Sequence, residues 1–217
     1  MINFLIVIFA LSMLYMVTSS RINAMINMLK LQGVILCFIT LISHDENGFW
    51  GMVFLLLETF VIKSVVIPGF LSKVSHKNNI KRDSNPSFPN FYTLVVTTFV
   101  LFGGFLMSNL HGGYMANLSS LYFGISLATI IVSFLFIAIK KKLLTHVIGF
   151  CLLENGIFLL SLSVAKEMPM IVNLGVLLDV FVAVFILGLL VGEIGNIYEN
   201  PDVCQLCNLK DCECQDE

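Results

Sequence analysis

Seven stretches of about 20 mainly apolar residues follow one another along this chain, each long enough to cross a bilayer. A bilayer interior offers no hydrogen-bond partner to a peptide group, so an apolar run that crosses it must be helical. Of the 217 residues, 58% are hydrophobic and only 12% are charged, which is about half the charged share of a soluble domain. We therefore predict an all-α integral membrane protein with seven transmembrane helices, at residues 2–18, 24–43, 50–71, 91–110, 118–139, 143–165 and 169–194.

Basic residues between the runs predict the topology. They follow the first, third and fifth runs, at Arg21, at Lys73 to Arg82 and at Lys140 to Lys142. Because short cytoplasmic loops carry an excess of Lys and Arg, we expect a multi-pass protein of the cell membrane with its N-terminus outside and its C-terminus in the cytoplasm. No basic segment precedes the first run, so we interpret that run as a retained helix and not as a signal peptide. The net charge of −2 gives no indication of a nucleic-acid partner.

Four segments result from this topology. Residues 1–71 hold the first three helices, residues 72–90 form a cytoplasmic loop, residues 91–194 hold the last four helices, and residues 195–217 form a cytoplasmic tail rich in cysteine.

Polar side chains inside the apolar runs are the strongest functional signal. One ionisable group in the middle of a membrane helix costs roughly 2.5–3.5 kcal/mol on insertion scales, and such groups usually mark functional sites. Glu58 and Lys63 are five residues apart, or about 140° around a helix of 3.6 residues per turn. We therefore expect each to find its partner on another helix. The residues concerned are Gln32, Glu58, Lys63, Glu154 and Asp179.

These groups have the chemistry of a proton relay. Burial disfavours the charged form of a carboxyl group and a nearby cation favours it, so a buried carboxyl group beside a cation can bind and release a proton. We predict that Glu154, Asp179, Glu58, Lys63 and Gln32 form the relay and that His146 takes up protons at the cytoplasmic start of the sixth helix. In an alternative interpretation, Gln32 only bridges helices and His146 is an ordinary interfacial residue. Pro68 is expected to disrupt the third helix near its cytoplasmic end.

The C-terminal tail carries four closely spaced cysteines, Cys204, Cys207, Cys212 and Cys214. Two close pairs of thiolates are a ligand set for zinc or for an iron–sulfur cluster, and disulfides are disfavoured in the cytoplasm. The alternative is a disordered tail that contacts a partner subunit. No cofactor is predicted within the membrane part.

Two segments resemble a known family. The segments Ile148 to Ile157, around Glu154, and Gly175 to Phe185, around Asp179, resemble component E of the hydrogenase-4, or formate hydrogenlyase-type, membrane complexes. The last three helices are also similar to the three-helix chain 4L subunit of respiratory complex I and to its counterpart in multisubunit cation/proton antiporters. The resemblance implies that Glu154 and Asp179 match two intramembrane carboxylates on the proton path of that subunit.

The resemblance also implies a function for the chain. It would be a non-catalytic membrane subunit of a complex I-related [NiFe]-hydrogenase, beside antiporter-like and other membrane subunits, with the redox centres in peripheral hydrogenase subunits. Glu58 and the cysteine tail lie outside the family pattern. Alternative interpretations are a subunit of a cation/proton antiporter, a non-conducting membrane scaffold, and an independent solute carrier.

Overall fold

The computed structural model describes residues 2–43, 56, 59–77, 90–111 and 120–164. These residues form six helices, which we number in chain order. Their bounds are α1 Ile2–Thr18, α2 Ile22–Ser43, α3 Thr59–Val66 continued by Ile67–Lys77, α4 Asn90–His111, α5 Ser120–Ile139 and α6 Leu143–Val164.

Three of the helical segments are long and apolar enough to cross a membrane, namely Ile22–Ile42, Leu121–Ile139 and Leu143–Ser163. The segments Ile2–Thr18 and Phe91–Met107 are apolar but shorter. The predicted seventh helix, residues 169–194, lies outside the described residues. The described part of the chain therefore has the character of an all-α membrane protein, with three full-length candidate spans in place of the seven that we predicted.

Helix α1 illustrates why these helices suit a membrane. Its buried residues Ile6, Phe9, Met13 and Met16 recur at intervals of three or four and form one face against the bundle. The opposite face is also apolar, because the exposed residues there are Phe4, Val7, Leu11 and Tyr15. A helix that is apolar on all sides is typical of a membrane span or of a fully buried position.

The helices pack as an antiparallel bundle. Helix α2 contacts α1, α3 and α6, and α5 contacts α1, α4 and α6. Two short connections, residues 19–21 and 140–142, lie side by side. Nζ of Lys140 in the second donates a hydrogen bond of 3.2 Å to the carbonyl oxygen of Ser19 in the first. Leu71 and Val74 of α3 share one apolar cluster with Val17 and Leu144, which places the end of α3 there too. The basic residues Arg21, Lys73 and Lys140 to Lys142 thus lie at one end of the described bundle, which we call the basic end.

Two apolar clusters fill the interior at different levels. The cluster at the basic end includes Met16, Leu29, Ile67, Leu144 and Leu152. The cluster at the opposite end includes Ile6, Phe9, Leu36, Tyr122 and Phe158. Buried polar residues separate the two clusters on two of the helices. They are Gln32 on α2, and Glu154 and Asn155 on α6. The bundle therefore has a polar layer between two apolar ones.

Helix α3 differs from the sequence-based prediction in two ways. Its first segment, Thr59–Val66, is a π-helix, with hydrogen bonds from residue i to residue i+5. The expectation for Pro68 was wrong, because the chain stays helical to Lys77. Pro68 is the second residue of the α-helical segment and directly follows the π-helical one. Its missing backbone N–H therefore falls where the hydrogen-bond spacing changes from π to α.

Candidate functional site

In the described part of the chain, the polar layer includes Gln32 of α2, Lys63 of α3, and Glu154 and Asn155 of α6. Gln32 and Glu154 each lie near the middle of a 22-residue helix. At 1.5 Å per residue, Glu154 is roughly 16 Å along the axis from the start of α6. All four residues are buried. The layer therefore lies at the depth where a membrane-spanning helix is furthest from water.

Lys63 and Glu154 form an ion pair through Nζ and Oε1. The two side chains are only 2% and 5% exposed. Removing a charge from water costs several kcal/mol, and a close counter-ion offsets much of that penalty. Lys63 thus finds its partner on another helix, as we expected. The angular argument behind that expectation assumed 3.6 residues per turn, whereas Lys63 lies in the π-helical segment and Glu58 lies outside the described residues.

The ammonium group of Lys63 also lies over the aromatic ring of Phe158, with Nζ 4.2 Å from the ring centroid. Cations are attracted to the negative face of an aromatic ring within about 6 Å. Phe158 follows Glu154 by four residues, so both project from the same side of α6. The ammonium group therefore contacts a carboxylate and a ring face from one helix.

An amide pair adjoins the ion pair. Nδ2 of Asn155 donates a hydrogen bond of 3.3 Å to Oε1 of Gln32. Within the described part of the chain, Nε2 of Gln32 has no hydrogen-bond partner, and Nζ of Lys63 makes no hydrogen bond beyond its ion pair. The amide pair links α2 to α6, and the ion pair links α3 to α6.

Gly33 explains how α2 and α3 come so close at this level. A Cβ atom at Gly33 would lie 3.0 Å from the backbone nitrogen of Ser64 and 3.1 Å from the carbonyl carbon and oxygen of Lys63. Backbone atoms of a helix cannot move aside as a side chain does, so this contact requires the absence of a side chain. Gly33 lets the π-helical segment lie against α2 next to Gln32.

Gly156 has a similar role between α6 and α5. A Cβ atom there would lie 3.1 Å from Cγ1 of Ile130, 3.1 Å from Cγ2 of Thr129 and 3.2 Å from the backbone nitrogen of Ile130. The Asn155-Gly156 sequence beside Glu154 therefore combines an amide that hydrogen-bonds to α2 with a glycine that allows close packing of α6 against α5.

His146 lies apart from this cluster. It is eight residues before Glu154 on α6, or about 12 Å along the helix axis. Its Nδ1 is 2.8 Å from the carbonyl oxygen of Lys142, and a carbonyl can only accept, so Nδ1 donates this bond. The histidine is half-buried at the basic end, consistent with the interfacial alternative.

Several predicted site residues lie outside the described residues. They are Glu58, Asp179 and the tail cysteines Cys204, Cys207, Cys212 and Cys214. Their roles, including the zinc or iron–sulfur site, stay predictions. Sequence reasoning missed Phe158 and Gly33. Both have a sequence signal, since Phe158 is four residues from Glu154 and Gly33 adjoins Gln32.

The arrangement places an acidic and a basic side chain in direct contact. A carboxylate paired with an ammonium group can bind a proton and become neutral, which leaves the cation without its counter-ion. Gln32 and Asn155 extend the polar groups sideways from α6 to α2. The cluster is therefore a candidate proton-binding site in the middle of the bundle.

Comparison with known proteins finds relatives of two kinds. The chain is 24% identical over 194 residues to uncharacterized protein Rv0085 of Mycobacterium tuberculosis, which covers 87% of this chain and 86% of that protein. It is 30% identical over 86 residues to hydrogenase-4 component E of Escherichia coli and of Shigella flexneri, which covers 40% of this chain and 40% of that protein. No protein-family model matches the chain. No solved structure matches it either.

Proposed function

We propose that this chain is a membrane subunit of a hydrogenase complex and that its buried Lys63–Glu154 pair takes part in proton translocation. The similarity to hydrogenase-4 component E supports the complex, and the apolar helices support its membrane location. The buried ion pair carries the proposal for protons, because it puts an ionisable carboxyl group, midway along α6, beside a cation from α3.

The finer features belong to the same proposal. The chain would have seven transmembrane helices, with its N-terminus outside and its C-terminus and basic end in the cytoplasm. Asp179 on the seventh helix would continue the proton path from Glu154. Antiporter-like membrane subunits and peripheral [NiFe]-hydrogenase subunits would be its partners, and the catalytic redox chemistry would take place in the latter.

The competing function is that of a scaffold whose buried charges only hold subunits together. Glu154→Gln alone does not separate the two functions cleanly, because the change leaves Lys63 buried without a counter-ion and can impair assembly. Replacing both charges, in Lys63→Met with Glu154→Met, removes that problem. Apolar residues of similar volume are often neutral or stabilising in place of a buried ion pair.

The deciding experiment uses the assembled complex in sealed vesicles. Proton translocation and hydrogenase turnover are both measured for the unmodified protein, for Glu154→Gln and for the double variant. A relay predicts assembled complexes that retain hydrogen chemistry but lose coupled proton translocation in both variants. A scaffold predicts full translocation in the double variant, and that result would exclude the proposed role of Glu154.

Lys73→Met is the matched control. Lys73 lies on the same helix as Lys63, but its side chain is exposed at the basic end. We expect this variant to translocate protons like the unmodified protein.

A further inference from the structure

The ammonium group of Lys63 has two neighbours of different kinds. One is the Glu154 carboxylate, whose charge disappears when it binds a proton. The other is the face of the Phe158 ring, 4.2 Å from Nζ to the centroid, whose attraction for a cation does not depend on protonation. The ring therefore remains as a partner in both protonation states of Glu154.

Phe158 is well placed for this task because it is buried. The residue is 8% exposed and belongs to the apolar cluster at the end opposite the basic end, with Leu36 and Leu159. It is four residues from Glu154, so the carboxylate and the ring are neighbours on α6. Both partners of the ammonium group therefore come from adjacent turns of one helix.

We propose that Phe158 is a positioning residue that holds the ammonium group of Lys63 in place while Glu154 is neutral. The inference rests on the proposed function, in which Glu154 exchanges a proton. In that step the Glu154 carboxylate gains one proton and becomes a neutral carboxyl group, while the ammonium group keeps its three protons. The ring face prevents Lys63 from moving away, so the ion pair re-forms when the proton leaves.

The contact can be tested without any transport assay. The full chain is labelled with ¹⁵N in the lysine side chains and ¹³C in the phenylalanine rings, and dipolar couplings are measured by solid-state NMR in lipid bilayers. Disappearance of the signal in Lys63→Met assigns the Lys63–Phe158 contact. The contact between Lys140 and Phe136, 5.4 Å from Nζ to the ring centroid, provides an internal reference.

Glu154→Gln is the decisive variant for this measurement, because it imitates the neutral carboxyl group. We expect the Lys63–Phe158 coupling to persist in this variant and the Lys140–Phe136 coupling to be unchanged. Loss of the Lys63–Phe158 coupling alone would overturn the inference. This outcome is independent of the proposed function, which fails instead if Glu154→Gln translocates protons normally.

Replacements of Phe158 give the functional test in the assembled complex. Phe158→Leu removes the ring, and we expect proton translocation per hydrogenase turnover to fall about tenfold. Phe158→Trp keeps an aromatic face and should restore most of the translocation. A series of fluorinated phenylalanines, which weaken the face with little change in size, should reduce translocation stepwise. Proton translocation that does not change with fluorination, or full translocation in Phe158→Leu, would contradict the positioning role.

Discussion

Lys63 in the π-helical segment of α3 is paired with Glu154 in the middle of α6, and both side chains are almost completely removed from solvent. The pair joins two helices that are separated along the chain by α4 and α5. It lies between two apolar clusters that include residues of α2 and α6. Most of what can be tested about this protein follows from that pair and its immediate neighbours.

Removal of one charge of the pair should destabilise the protein strongly. Lys63→Met leaves Glu154 buried without its cation, and we expect a loss of about 3–5 kcal/mol in the free energy of unfolding. The double variant, Lys63→Met with Glu154→Met, should recover most of this loss because no uncompensated charge remains. The free energy of unfolding is measured in mixed micelles with increasing SDS for the unmodified protein, for Lys63→Met and for the double variant. Equal losses in the single and double variants would show that packing, and not charge, accounts for the effect.

A side chain at position 33 should push α2 and α3 apart. Gly33→Ala places a methyl group 3.0–3.1 Å from backbone atoms of Lys63 and Ser64, and overpacking of this kind costs about 1–3 kcal/mol. Gly69→Ala is the matched control, because a Cβ atom there meets nothing within 4 Å. That variant should gain up to about 1 kcal/mol from the better helix propensity of alanine. Similar unfolding free energies for the two variants would contradict the close approach at Gly33.

The amide pair should behave as a coupled unit. Gln32→Leu leaves Nδ2 of Asn155 without its acceptor, and Asn155→Leu leaves Oε1 of Gln32 without its donor. A buried polar group that loses its partner costs about 1–3 kcal/mol. The double variant should therefore lose less stability than the sum of the two single variants, as measured by a double-mutant cycle of unfolding free energies. Strict additivity would mean that the hydrogen bond contributes nothing.

At the basic end, Lys140 should contribute more to the free energy of unfolding than its neighbour Lys141. Lys140 is buried and donates to the carbonyl oxygen of Ser19, just beyond the last residue of α1, where a cation also interacts favourably with the helix dipole. We expect Lys140→Met to cost about 1–2 kcal/mol in unfolding free energy. Lys141→Met, at a half-buried position of the same connection, is the control. A larger loss in Lys141→Met would contradict this assignment.

The helices themselves are largely determined by the sequence. Runs of apolar residues predicted α1, α2, α4, α5 and α6 within a few residues of their observed ends, because a long apolar segment can satisfy its peptide groups in lipid only as a helix. The shared end of Arg21, Lys73 and Lys140 to Lys142 was also expected from the sequence, since these residues follow every second apolar run and successive spanning helices alternate in direction. The polar residues of the central layer could likewise be selected, because they are the costly exceptions in apolar runs.

The partners of those residues were decided by the tertiary structure. The sequence marked Lys63 and Glu154 as needing partners, but only packing α3 and α6 together, with α2 brought close by Gly33, makes them each other's partner. The π-helical segment and the continuation of α3 past Pro68 were likewise visible only in the tertiary structure. Local hydrophobicity fixes whether a segment is helical. The spacing of backbone hydrogen bonds and the choice of counter-ion depend on the helices packed against it, which lie far away in the sequence.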